Sequence, residues 1–151
     1  MTNTRSLALD YLNSHHVLTL ATHGPEGVWA AAVFYTNDGF RLYFLSAGHT
    51  RHARNMAASP HVAATIQEDY ADWSAIKGIQ LEGTVRLLAG REREAGIAIY
   101  TKRFSFLAQP APVVEAALAR INWYCLSPLR LYFVDNSRGF GKRDEIDLGF
   151  N

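Results

Sequence analysis

A chain of 151 residues, 48% hydrophobic and 19% charged, has the size and texture of one globular domain spanning 1–151, able to bury a core without covalent staples. Fifteen Lys and Arg against fourteen Asp and Glu leave a net charge of +1, which argues against a general nucleic-acid or membrane-surface binder. Cys125 is the single cysteine, so no intrachain disulfide can form, and residues 1–10 hold no apolar signal core. The longest apolar stretches, such as 29–35, are too short to span a bilayer, so the cytoplasm is the expected setting.

In chain order, residues 4–13 place Leu7, Tyr11 and Leu12 near one helical face and predict a short leading helix. Residues 16–22 are β-prone, and His23-Gly24-Pro25-Glu26-Gly27 is a dense turn signal. A second apolar run over 28–35 closes with the hairpin chemistry of Asn37-Asp38-Gly39, and 41–45 is a third strand. After the polar loop 46–50, residues 51–58 predict a helix with Thr50 as N-cap, ended by Pro60. Residues 61–66 and 76–87 are strands; in the latter Ile79, Leu81 and Val85 share one parity. Helices are expected over 92–100 and 112–119, with a basic, aromatic bend at 102–104, and two short strands over 122–126 and 129–134. The expected fold is mainly β (α+β): a six- to seven-stranded antiparallel barrel with two or three short flanking helices, since closure removes exposed edges.

The loop rich in Ser, Gly and Thr that feeds the 51–58 helix is the most informative stretch. Free amides at a helix N-terminus favour an anion. Arg51 adds a two-pronged donor suited to phosphate, and Ser46 and Thr50 add hydroxyls. Taken alone, Arg51 and Arg54 read equally well as solvated helix residues.

The runs Ala30-Ala31-Ala32-Val33-Phe34-Tyr35, Leu42-Tyr43-Phe44-Leu45-Ser46, Thr50-Arg51-His52-Ala53-Arg54-Asn55, Ser59-Pro60-His61-Val62 and Gln80-Leu81-Glu82-Gly83-Thr84-Val85 resemble the pyridoxamine 5′-phosphate oxidase-like split-barrel superfamily, well over 14–90 and loosely beyond. The resemblance is nearest to a subgroup that supplies no reaction. It implies a homodimer with FMN in two clefts at the interface. The second strand, here Ala31, Ala32, Val33 and Phe34, would run along the flavin ring. Leu45 and Ser46 would face the ring and ribityl chain. Thr50, Arg51 and His52 would hold the phosphate, with Lys77 and Gln80 supplying further contacts.

Two positions depart from that pattern. His52 stands where Lys is frequent, a weaker and pH-dependent cation. Gly78 occupies the place of an expected glutamine, with Gln80 two residues on and on the same strand face. Residues that hold the substrate phosphate in the oxidase itself are not recognisable. In the basic, glycine-punctuated segment 136–143, the resemblance would let Phe140 cover the ring and Lys142 or Arg143 attract an anion; a solvated tail is the alternative.

The remaining candidates are weaker. The six histidines match no structural zinc spacing and read as surface or capping residues, and no metal site is assigned. Cys125 reads as core, and Trp73 as a loop residue able to line a cleft. The functional expectation is an FMN-dependent oxidoreductase acting on a small substrate. The alternatives are deazaflavin or haem in place of FMN, a flavin- or haem-binding storage or sensing protein without turnover, and a dimeric barrel that has lost its ligand.

Overall fold

The computed structural model describes residues 3–149. Helix α1 (Thr4–Ser14) is capped by Asn3, whose side chain accepts from the Ser6 amide, and it buries Ala8, Tyr11 and Leu12. Strand β1 (Val17–Gly24) turns at Pro25-Glu26 into β2 (Gly27–Asp38), which turns at Gly39-Phe40 into β3 (Arg41–Ser46). Helix α2 (Arg51–Ala58), β4 (His61–Gln67), a 3-10 turn (Trp73–Ala75) and β5 (Lys77–Leu87) follow. Two helices, α3 (Gly90–Arg103) and α4 (Pro112–Ala119), lead to β6 (Asn122–Asp135), and β7 (Arg143–Glu145) ends the fold.

The sheet order is β3-β2-β1-β4-β5-β6-β7, all antiparallel, and β3 also pairs with β6. Six strands therefore close into a barrel, with β7 added at the edge of β6. Alternation fills the interior: Leu18 and Leu20 of β1, Leu42 and Phe44 of β3, Ile66 of β4, Ile79 of β5, and Leu126 and Leu131 of β6 are buried. A second cluster joins Leu88, Tyr100, Phe104, Trp123 and Cys125 beneath α3, so Cys125 is core.

Arg103, at the end of α3, donates to the carbonyls of Leu12 (3.0 Å), Asn13 and His15 (2.7 Å), and to Asn37 Oδ1 at 2.6 Å. These carbonyls end α1, where orphan acceptors favour a cation. The bend expected over 102–104 is instead the last turn of α3 up to Arg103, because the guanidinium has this task.

The helices number four among the described residues rather than two or three. The two strands expected over 122–126 and 129–134 are one, β6. Pro128 is tolerated because the register slips there: Glu82 pairs with Arg130 while Gly83 pairs with Pro128. Gly83 is obligatory at this bulge, since a Cβ would lie 2.4 Å from the Ser127 carbonyl oxygen.

Candidate functional site

The end of β3 and the start of α2 bring three of the sequence-predicted residues together. Thr50 caps α2: its Oγ1 accepts from the Ala53 amide at 3.2 Å and donates to the Ala47 carbonyl at 2.9 Å. His52 Nε2 lies 2.6 Å from Ser46 Oγ and 3.3 Å from Thr50 Oγ1. Burial holds the His52 imidazole below its ordinary range, which favours its neutral form. With Thr50 satisfying Ala53, the amides of Arg51 and His52 are the remaining first-turn donors.

Buried Asn55 seats the helix. Its Nδ2 donates to Thr22 Oγ1 of β1 at 3.1 Å, and Asn55 is only 1% exposed. Gly24 makes room for it, because a Cβ there would stand 2.5 Å from Asn55 Oδ1.

Arg51 points toward the β1–β2 hairpin. Its Nη2 donates to the carbonyls of Glu26 (2.8 Å) and Val28 (3.4 Å), and its guanidinium lies 4.5 Å from the centre of the Trp29 ring. Among the described residues its Nε is buried without a hydrogen-bond partner, and a buried donor left unmade is costly. Arg54 pairs with Glu26 at 2.9 Å and donates to the His49 carbonyl.

The ring-side residues occupy a different surface. Along β2, Ala32 and Phe34 face outward, while Ala31 and Val33 are half-buried. Ala32 belongs to a cross-strand row, Ala32–Thr19–Thr65–Gln80–Tyr132, formed by successive pairings. At about 4.8 Å per strand, Gln80 is three strands, or about 14 Å, from Ala32. Gln80 thus shares their face, whereas Lys77 has the opposite parity and its carbonyl accepts from Tyr11 Oη at 3.1 Å. Leu45 is half-buried and turned into the cluster under α3.

This outer face is broad and poorly covered. Val28 is 80% and Phe34 60% exposed, and Val17 lies opposite Phe34. Small residues, Ala21, Ala30 and Ala63, fill the neighbouring row. An open cleft of about 480 Å3 lies on it, walled by Ala30, Trp29 and Val62 and bordered by His23 and His61. His61 Nε2 is 3.2 Å from Glu82.

The C-terminal loop is pinned rather than free. Asn136 donates from its Nδ2 to the Trp73 carbonyl at 2.9 Å, and its Oδ1 accepts from the Gly141 amide. Phe140, 83% exposed, meets the Trp73 ring edge-on at 5.2 Å. Arg138 and Lys142 share Asp144, and Arg143 lies over Tyr132 with Gln80 Oε1 at 3.5 Å.

Sequence reasoning missed Thr22, Glu26, Trp29 and Asn55. Spacing gave no cue for Asn55 to Thr22, which are 33 residues apart. The close pair Gly24 and Gly27 was the available signal that side chains from elsewhere approach this turn.

A protein of Enterobacter sp. (strain 638) in the UPF0306 group is 36% identical over 136 residues, covering 88% of this chain and 89% of its own. Among solved structures, a haem-binding protein from Mycobacterium smegmatis matches with TM-score 0.76 and 22% identity, over 98% of this chain and 60% of that one. A FAD-binding protein from Mesorhizobium loti matches with TM-score 0.64 and 15% identity, over 93% and 94%. These two likenesses show the barrel fold. The family described as pyridoxamine 5′-phosphate oxidase matches residues 7–136, and the chain belongs to that family.

Proposed function

We propose that the chain is a homodimer that binds FMN and serves as a flavin-dependent oxidoreductase for a small substrate, with the phosphate at the start of α2. The observation that carries this reading is the Ser46–His52 pair at the start of α2, where the Arg51 and His52 amides are the first-turn donors left after Thr50 caps the helix. This donor set suits a phosphate. Bound flavin supplies hydride or electron transfer, and the chain's task is to hold and orient it. Thr50 fixes the helix turn, its own hydroxyl being spent on Ala47 and Ala53. Arg51 ties the hairpin to α2 and adds positive charge beside the first-turn amides.

The outer face supports dimerisation. An exposed strip holding Val28, Phe34 and Val17, with alanines and threonines between them, lets a second sheet approach closely. Gln80 and Ala32 lie on that strip, so a ring bound there would be covered by the partner. Titration of the purified protein with FMN, followed by fluorescence quenching, tests the reading, and absence of saturable quenching would sink it.

A haem-binding protein is the second reading, favoured by His23 and His61 beside the apolar cleft and consistent with the haem-binding neighbour of the same fold. Titration with haemin separates the two. A strong haem band, lost on replacing either histidine, with no FMN quenching, selects haem.

A further inference from the structure

We infer that binding of a phosphate ester at the start of α2 is coupled to uptake of one proton by His52, which makes this residue the determinant that separates FMN from its dephosphorylated form. The inference rests on the phosphate placement above. Among the described residues the hydrogen-bonding partners of Nε2 are hydroxyls, Ser46 at 2.6 Å and Thr50 at 3.3 Å. Thr50 has already given its hydrogen to Ala47, so toward His52 it can only accept. Ser46 can act either way.

The charged ring therefore fits without rearrangement. An Nε2 hydrogen goes to Ser46 Oγ, with Thr50 Oγ1 as a second acceptor, and the Ser46 hydrogen is released toward the ligand. What the free protein lacks is a counter-charge. The charged side chains nearest along the chain are Arg51 and Arg54 of α2; Glu26, the hairpin carboxylate that approaches this helix, is paired with Arg54, and among the described residues no carboxylate is hydrogen-bonded or ion-paired to His52. Burial thus disfavours the charged form of His52 until a dianion arrives, and the dianion reverses the balance.

Calorimetric titration with FMN in two buffers of different ionisation heat, at about pH 7.5 where the free phosphate is a dianion, counts the protons. The expected result is uptake approaching one proton per FMN, with affinity falling up to tenfold per pH unit above neutrality. Riboflavin should bind without uptake. His52→Gln should abolish uptake, and His52→Lys should bind FMN with neither uptake nor pH dependence. FMN binding by the wild-type protein without proton uptake, or uptake that persists in His52→Gln, overturns the inference while leaving the cofactor reading intact. No FMN binding at any pH overturns the phosphate placement and the coupling with it.

Discussion

Asn55→Ala is the sharpest test of how α2 is held. It deletes the donor to Thr22 Oγ1 in a site where Asn55 is 1% and Thr22 3% exposed, so the hydroxyl left behind is shielded from bulk water. The lost hydrogen bond is worth about 1 kcal/mol and the stranded hydroxyl costs about 1–3 kcal/mol, for a total of roughly 2–4 kcal/mol. In a domain of this size that corresponds to a fall in Tm of roughly 4–16 °C. Thr22→Val strands the Asn55 amide instead, and the double variant strands neither. Urea denaturation of the four proteins should show the double variant less destabilised than the sum of the singles, by about 1–2 kcal/mol. Strict additivity, or a loss below about 0.5 kcal/mol for Asn55→Ala, would refute the reasoning.

Three further outcomes follow from the same contacts. Gly24→Ala should destabilise by about 1–3 kcal/mol through collision with Asn55 Oδ1, and much of that loss should vanish in the background of Asn55→Ala; thermal melts of the two singles and the double check it. Arg103→Ala strips the C-terminal carbonyls of α1 of their donor, and hydrogen exchange should accelerate over Thr4–Ser14 while the barrel strands stay protected. Phe34→Asp, on the outer face, should convert the proposed dimer into a folded monomer by light scattering, and an unchanged mass would remove that face from the proposed interface. The folded ligand-free protein also has a pH signature. His52 titrates below its unfolded value, so the unfolded chain binds more protons near pH 6, and stability should fall as pH drops below about 6.5. His52→Gln should flatten that slope in pH-dependent urea melts.

Local chemistry made most of the fold legible. Hairpin residues at 24–27 and 37–39 and the period-2 runs around Leu18, Leu42 and Ile79 place β1, β2, β3 and β5 within a few residues. The misses share one cause, which is long-range contact. Pro128 reads as a strand break until Gly83, distant in sequence, is seen to accept it by a register slip. Lys102 and Arg103 read as a bend until the carbonyls of α1 supply a reason for the helix to continue. Strand β7 carries no apolar signal and forms because β6 offers an edge beyond the closed barrel.

The layout of the candidate site was legible only in part. Ser46, Thr50 and His52 come together as their sequence spacing suggests, since one loop joins them. Arg51 turns to the hairpin because Trp29 and two carbonyls await it there, and those partners lie more than twenty residues upstream. Gln80 reaches the face of Ala32 only through three successive strand pairings, which no local pattern reports.

The central claim is that a flavin phosphate sits where β3 hands over to α2. The most direct measurement is FMN binding to the wild-type protein and to Ser46→Ala, with riboflavin as the control ligand. The account predicts saturable FMN binding at one per protomer, weakened by about tenfold or more in Ser46→Ala, the scale of one charge-assisted hydrogen bond, while riboflavin affinity is unchanged. Equal FMN affinity in the two proteins, or no FMN binding in either, would contradict it.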